Sequence, residues 1–553
     1  EYRNVYITDV KQQKVEGIWR GQKKTWQLRS AVSKEKISGV ADLIEEQGKV
    51  VKVRKKPDMI QGKILRIMDK LQIENYGFVS LDAEFCVYHL KSDGTVIPGE
   101  ANELSVGESG AKYVAASGQI CAVLLYEQKE KTANIRVILQ NDKNHSYDFS
   151  SVTLSGTTGY TVVAGKKKTH FDASEKQKLT AQNVKEHIVV IPDSGGKIRV
   201  ESVNKQYGHP EYRGIFEIDL VDKALHIINE LPLEEYLYSV VPSEMPTEYQ
   251  KEALKAQAVC ARSYAIKQMA GKRLAALGAH VDDSVAFQVY NNLREDAASI
   301  AAVNETKGQV VFAENQVAET YFYSVSAGVS AGIKEVWFAK KDRSYLMPCV
   351  LLGRKTLDLQ KEADFSKFLK DETKSYDANS PWYRWRTTVS EKQLQQFISE
   401  KIKSRYEKNP TQIQTKQKDG TFFSTGQTEL GEIKKVEILK RGKSGVAVMA
   451  QITGSKNTLR IYTEYNLRNL FGGEKLIYLR KDKKEVSGLS CLPSGYFTIE
   501  KKGDSYIFTG GGYGHGVGMS QNGANQMAAQ GKKCEEILKF YFSGSILQYQ
   551  KSV

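Results

Sequence analysis

No apolar stretch in the 553 residues approaches the ~18 that a membrane-spanning helix needs; residues 120–126, Ile-Cys-Ala-Val-Leu-Leu-Tyr, are among the longest. An integral membrane protein is therefore not expected. The six cysteines, Cys86, Cys121, Cys260, Cys349, Cys491 and Cys534, lie far apart with no Cys-x-x-Cys pair, which argues against a zinc ribbon. The basic clusters are short, none forms a Lys/Arg stripe on one helix, and no zinc-finger or RNA-binding signature accompanies them. The glycine-rich residues 510–518 lack the Gly-Lys-Ser/Thr of a phosphate loop, and no Gly-x-Ser-x-Gly elbow stands out, so nucleotide binding and serine acyl transfer are disfavoured.

What is present is globular composition, 41% hydrophobic and 26% charged, which excludes a disordered chain. At roughly 150 residues per domain the length suggests about three to four domains. Lys+Arg is 80 against 65 Asp+Glu, a net charge of +15. An anionic partner follows, whether nucleic acid, anionic membrane surface or wall polymer, unless the basic clusters are merely solvated surface. The chain begins at Glu1 rather than Met, which leaves room for an N-terminal signal or anchor trimmed from it.

Residues 1–132 read as a β-rich accessory domain, with strands near 49–54, 77–81 and 119–126 and turn signals such as Ser92-Asp-Gly between them. Residues 133–548 read as a second, catalytic domain with a mixed, polar insertion at about 341–430. Strands are predicted near 134–139, 152–155, 160–163, 187–191, 308–312, 319–325 and within 429–460. A long helix is predicted from about Glu248 to Ala276, with Thr247 and Gln250 as a capping box. Its face of Leu254, Gln257, Ala258, Ala261 and Ala265 repeats at helical spacing. Further helices are expected near 391–406 and, in a short pair, at the C-terminus, broken at Gly531 and ended at Gly544. With no regular βαβ alternation, the expected class is α+β: mainly strands, a long helix bearing the candidate catalytic motif at its N-terminus, two short C-terminal helices and an extra N-terminal β domain.

Three segments carry the polar residues a site needs. Glu244 lies between Pro242 and Pro246, which restrict the backbone around its carboxylate. Val240, Val241 and Met245 would desolvate it and raise its pKa, as a general acid requires. A following helix N-terminus would work the other way. A helix-capping or surface glutamate is the alternative. In residues 510–521, Gly-Gly-Gly-Tyr-Gly-His-Gly-Val-Gly-Met-Ser-Gln, the glycines suit close approach of backbone to a ligand or to the small-residue helix. His515 would donate to a ligand there. Residues 321–328, Tyr-Phe-Tyr-Ser-Val-Ser-Ala-Gly, followed by Glu335-Val-Trp, combine aromatic and hydroxyl groups as a sugar groove does, although an ordinary buried strand explains them too. Gln257 and Arg262 either reach that groove from the helix or serve a surface or interhelical role.

The order and wording of several motifs go further. Residues 231–237, Leu-Pro-Leu-Glu-Glu-Tyr-Leu; 242–246, Pro-Ser-Glu-Met-Pro; 252–265, Glu-Ala-Leu-Lys-Ala-Gln-Ala-Val-Cys-Ala-Arg-Ser-Tyr-Ala; and 514–524, Gly-His-Gly-Val-Gly-Met-Ser-Gln-Asn-Gly-Ala, closely resemble the stage II sporulation protein D family, which includes amidase enhancers of bacterial wall autolysis. Residues 321–328, 335–337, 380–385 and 537–544 are similar to family segments as well. The resemblance covers about 134–548. It implies a lytic transglycosylase that cuts peptidoglycan glycan strands, preferably stripped of stem peptides, with Glu244 of the Glu-Met-Pro motif as the single catalytic acid and base. Beside it, Gln257, Arg262, Gln288, Tyr290, Tyr321, Ser324, Ser326, Trp337, Tyr513, His515 and Gln521 are the expected glycan-binding residues.

Some relatives hold zinc near residues 280–290. Here Phe287 stands where Cys is often found, and His280 alone cannot hold a structural zinc, so no metal and no cofactor are expected. The runner-up is a non-catalytic enhancer that binds wall glycan or a partner amidase. A nucleic-acid binder, supported only by charge, comes third, and no nucleic-acid partner is expected. The implied location is extracytoplasmic, at the wall or the outer face of the membrane.

Overall fold

The computed structural model describes residues 1–31, 37–127, 134–142, 144–347, 349–350, 357–371 and 375–549. Strand makes up 40% and helix 21%, an α+β chain built mainly from strands. No described helix is long and apolar enough to cross a membrane. The chain divides into two compact units, residues 1–244 with 265–296, and residues 245–264 with 297–549.

The first unit begins with a five-stranded antiparallel sheet in the order Gln22–Gln27, Lys14–Trp19, Tyr2–Lys11, Gly39–Glu46, Lys49–Lys55. Val5, Ile7, Val15, Trp26, Leu43 and Val50 fill its core, the period-2 pattern placing them on one face. A seven-stranded sheet follows, with the long strand Gly77–Leu90 paired in parallel to Gln119–Tyr126. A third, seven-stranded sheet contains Ile188–Pro192, Ile215–Val221, Ala224–Pro232 and Asn134–Ile138 side by side.

Arg136, fully buried, bridges this third sheet. Its guanidinium bonds Glu217 at 2.8 Å and also Glu230, and Lys63 reaches Glu230 at 3.0 Å. Burial alone would raise the Glu217 pKa, yet Arg136 and Lys63 hold it well below the carboxylate range. Such a pair is tolerated in the interior because each charge is matched and hydrogen-bonded.

The strand Ala224–Pro232 runs directly into the helix Leu233–Glu244. Leu233, Tyr236, Leu237, Val240 and Val241 recur at helical spacing and are all buried, while Glu234 and Glu235 occupy the first turn, where the dipole favours acids. Pro242, in the last turn, has no N–H to give the carbonyl of Tyr238 four residues back; Ser243 Oγ, one position on, donates to Ser239 O at 2.7 Å.

The second helix corrects the sequence reading at both ends. It spans Lys251–Met269 rather than 248–276. Gln250 stands immediately before it, its carbonyl taking the N–H groups of Ala253 and Leu254, and its own N–H donates to Asn525 Oδ1 at 2.8 Å. Thr247 thus falls outside the helix start, because a bond from a distant segment does the capping. The expected face is as predicted: Leu254, Gln257, Ala258, Ala261 and Ala265 are all buried.

The core of the second unit is formed by Trp385, Val389, Leu394, Phe397, Ile461, Leu467 and Phe508 among others. Trp385–Ser390 lies centrally in a five-stranded sheet beside Ser505–Gly510, and the helix Glu391–Lys408 covers apolar residues with Leu394, Phe397, Ile398 and Ile402. The region read as a polar insertion therefore supplies core. Ser390 caps that helix through a capping box with Gln393. Strands near 429–460 resolve into Ile433–Arg441, Ala447–Gly454 and Thr458–Tyr462. The two C-terminal helices are Gln521–Ala529 and Cys534–Tyr541.

Candidate active site

Glu244 closes the helix Leu233–Glu244; it does not open the long helix, as the sequence reading had it. The difference has an electrostatic consequence. The C-terminal end of a helix carries partial negative charge and disfavours a carboxylate, where an N-terminus would have favoured one. Glu244 keeps partial solvent access. Burial nevertheless pushes its pKa up to about 7, against the opposing pull of the Val289 N–H. That N–H donates to Oε1 at 2.6 Å and orients the carboxyl group. Ser243 Oγ, next along, accepts the N–H groups of Asn292 and Leu293 at 3.0 and 3.2 Å. Two adjacent side chains at one helix end thus hold residues 289–293 against it.

Gln288 and Tyr290, expected at the glycan, flank Val289. Gln288 Oε1 accepts the Tyr236 hydroxyl at 3.3 Å, and Tyr290 gives its own hydroxyl to Asn229 at 2.8 Å while its ring lies 4.9 Å from that of Tyr236. Both are buried, so they shape the wall behind the carboxyl group. His280 accepts the Arg136 N–H on Nδ1 at 3.0 Å, and Nε2 lies 3.1 Å from Val106 O. Burial, with Arg136 adding to it, lowers its pKa to about 3, and both ring nitrogens are engaged within the protein.

The remaining expected residues lie in the second unit. Tyr321, Trp337 and His515 form a run of rings, with centroids 4.6 Å apart for Tyr321 and Trp337 and 5.0 Å for Trp337 and His515; Tyr264 and Tyr323 extend it on either side. Trp337 is 42% exposed. Tyr513, half-buried, packs against Trp382 at 5.1 Å. His515 accepts the Val517 N–H on Nδ1 at 3.1 Å and also bonds the backbone of Phe322; burial, then Arg468, lowers its pKa to about 4. The ring is therefore neutral at physiological pH and tied into its own loop, and the ligand-directed donor expected of it is not what its hydrogen bonds show.

The glycine loop approaches the segment 321–327 rather than the small-residue helix. Gly514 and Gly518 take φ of 114° and 80°, and a Cβ on Gly518 would sit 2.1 Å from Tyr321 O. Only glycine fits such a left-handed, close approach. Ser324 accepts the Asn522 N–H on its carbonyl, and Ser326 Oγ is used inside its own turn, by Gly328 N–H and Val329 O. Arg262 is wholly buried and donates to the carbonyls of Gln309 and Val303 at 3.0 and 3.2 Å, the interhelical alternative rather than a groove position. Gln257, also buried, pairs with Gln521 across 3.4 Å.

Two groups escaped the sequence reading. The Val289 N–H is one; nothing local marks it. The other is Asp377, fully buried, which accepts the Ser520 hydroxyl and the Ser326 N–H at 3.0 Å. Burial pushes its pKa up to about 7. Its one signal was proximity to the family-like residues 380–385.

The described residues thus form an α+β protein with a partly accessible carboxyl group of raised pKa at a helix end and, in the other unit, a platform of rings. Residues 221–312 match the family model described as stage II sporulation protein, and residues 331–518 match one described as a domain of unknown function. The chain carries a stage II sporulation protein domain, and Glu244, Gln288 and Tyr290 lie inside it. It is 28% identical over 385 residues to the stage II sporulation protein D of Bacillus amyloliquefaciens, covering 65% of this chain and 89% of that one. Identity to the Bacillus subtilis (strain 168) protein of the same name is 27% over 333 residues, 58% of this chain and 75% of that one. The amidase enhancer of the same strain is 30% identical over 318 residues, 56% of this chain; the chain spans only 40% of its length.

Proposed function

We propose that the chain is a peptidoglycan lytic transglycosylase that uses Glu244 alone as acid and then base. The observation that carries this reading is a partly accessible carboxyl group whose pKa is pushed up to about 7, so that a large share of it is protonated at neutral pH. Protonated Glu244 gives its proton to the oxygen bridging N-acetylmuramic acid and N-acetylglucosamine, and the C1–O bond breaks. The carboxylate then takes the proton of the muramoyl C6 hydroxyl as that oxygen bonds C1. Glu244 ends protonated, no water is consumed, and the product carries a 1,6-anhydro end. Val289 N–H supports the carboxylate that exists between the two transfers. One carboxylate suffices, where an ordinary glycoside hydrolase needs two. Intramolecular attack by a hydroxyl held beside C1 outcompetes solvent for entropic reasons.

The substrate would be glycan strands free of stem peptides, encountered outside the cytoplasmic membrane in wall remodelling such as sporulation. In this reading residues 1–132 are an accessory domain to the catalytic remainder. Mass spectrometry of products from amidase-treated peptidoglycan is the test: anhydromuramoyl ends are expected, and reducing ends one water heavier would make the enzyme a hydrolase. The similarity to an amidase enhancer supports a second reading, in which the chain binds glycan or a wall amidase without cutting. Absence of any cleavage with a stimulated amidase would favour that reading.

A further inference from the structure

Three aromatic residues of the N-terminal five-stranded sheet converge on one ammonium group. Tyr2, Trp19 and Trp26 come from three neighbouring strands, Tyr2–Lys11, Lys14–Trp19 and Gln22–Gln27. The Tyr2 ring stands at 84° to Trp19 with centroids 5.0 Å apart, and at 69° to Trp26 with centroids 5.4 Å apart. Rings set edge to face in this way form walls rather than a stack. Lys24 Nζ lies over all three, 4.2 Å from the Tyr2 centroid, 5.6 Å from Trp19 and 5.7 Å from Trp26. Each is within the ~6 Å at which a ring face attracts a cation. The ammonium also donates to Tyr2 Oη at 3.0 Å, and that hydroxyl donates on to Glu45 Oε2 at 3.2 Å. Lys24 is exposed and sits on an edge strand, so its head can swing into water without disturbing a neighbouring strand.

Trp19 Nε1 and Trp26 Nε1 are buried without a hydrogen-bond partner among the described residues. Each such donor costs stability, and a leucine or phenylalanine would fill the same core without it. What the indoles add is the ring face that binds cations best. We propose that Tyr2, Trp19 and Trp26 form a cage for a quaternary ammonium of the choline type, and that Lys24 occupies the cage until the ligand displaces it. A trimethylammonium group has no N–H to give, so ring faces serve it fully, whereas a lysine ammonium gives up strong hydration to enter them. An exposed cation–π contact is weak, so displacing Lys24 lowers the apparent affinity by only about 2- to 5-fold. Residues 1–56 hold 14 Lys and Arg against seven Asp and Glu, a field that repels a bare cation and favours a ligand carrying its own anion. Phosphocholine has both charges: its ammonium fills the cage and its phosphate meets the displaced Lys24 at the rim. The inference is independent of the role of Glu244.

The test is equilibrium dialysis of the full chain, with Trp337→Ala as the parent so that the exposed indole of the other aromatic run does not contribute. The probes are choline, phosphocholine and 3,3-dimethylbutanol, the neutral carbon isostere of choline, at low and physiological salt. Choline should bind saturably and the isostere at least ~10-fold more weakly, which separates a cation cage from an apolar hole. Phosphocholine should bind more tightly than choline at low salt and lose that advantage as salt rises. Lys24→Ala, a surface change that leaves the core of the sheet intact, should tighten choline about 2- to 5-fold and bring phosphocholine to the affinity of choline. Trp19→Leu should weaken both cationic probes at least ~10-fold. An isostere that binds as tightly as choline, or a Lys24→Ala chain whose choline affinity is unchanged or weaker, would overturn the cage. Phosphatidylcholine vesicles and phosphocholine coupled to serum albumin, at equal headgroup concentration, separate a lipid source from a soluble or wall-borne one. Trp19-dependent binding to either supports the cage and identifies its carrier; binding to neither overturns it.

Discussion

Replacing the Glu244 carboxyl with an amide should abolish glycan cleavage and leave glycan binding in place. Glutamine keeps the shape and can still accept the Val289 N–H, but it cannot pass a proton. Loss of general acid/base function costs at least ~10²-fold, and more where one group serves both steps; undiminished turnover by Glu244→Gln would refute the role. The same carboxyl group predicts two pH dependences. Activity that needs the protonated acid should fall as pH rises through about 7. Stability should fall as well: the folded state holds the proton more tightly than the unfolded chain, whose glutamate titrates near the ordinary 4.5, so unfolding free energy drops as pH rises from about 4.5 to 7 and levels off above. The slope is at most ~1.4 kcal/mol per pH unit, less for a group with solvent access. Denaturant titrations of wild type and Glu244→Gln across that window should diverge by this component alone. Asp377 has the same sign, and Asp377→Asn should flatten the profile separately.

At the level of elements, the glycine loop and the two helix ends carry the design. Gly518→Ala would put a methyl group 2.1 Å from Tyr321 O in a left-handed backbone, whereas Gly531, with φ of 86°, has nothing within 4 Å of an added Cβ. Gly531→Ala should therefore cost only the conformational penalty, about 1 kcal/mol. Gly518→Ala should cost clearly more, and thermal unfolding of the two variants side by side checks the comparison. His515→Ala belongs to the same element. Its ring nitrogens bond the backbone of Val517 and Phe322, so the expected effect is a lower melting temperature. A variant that melts normally yet binds glycan poorly would restore the ligand-directed role. Arg262→Met tests the long helix: it takes a buried donor from the carbonyls of Gln309 and Val303, of which Val303 O keeps the Thr306 N–H at 3.2 Å, so a loss of about 1–3 kcal/mol in all is expected.

At the level of the whole molecule, the polar groups sort by unit. The first unit holds the acid and the backbone that orients it, placed there by a strand that runs without a loop into the helix ending at Glu244. The second holds the run of rings around Trp337 and the glycine loop. Residues 385–408, polar enough in sequence to resemble an insertion, are built into the second unit's core because Trp385, Val389, Leu394 and Phe397 recur at strand and helix spacing within the polar background. Average polarity concealed a pattern that position by position was legible.

The amino-acid sequence by itself determined the class of fold, most strand positions and the buried face of the long helix, and singled out Glu244 as a candidate, because these follow from local periodicity and from motifs a few residues long. It misjudged the helix around Glu244, since Pro242 reads as a breaker, whereas in a last turn the N–H it lacks costs the helix a single bond. Where side chains go was decided only in three dimensions. Arg262 and His515 looked like groove residues and bond backbone; Ser326 does likewise, and Tyr290 gives its hydroxyl to the buried Asn229 side chain. Val289 had no signal and Asp377 only its nearness to residues 380–385, because a carboxyl pKa or an oriented N–H depends on which distant segments converge, and Val289 is 45 residues beyond the glutamate it orients. Burial and hydrogen-bond partners are properties of that convergence, and no window of the sequence contains them.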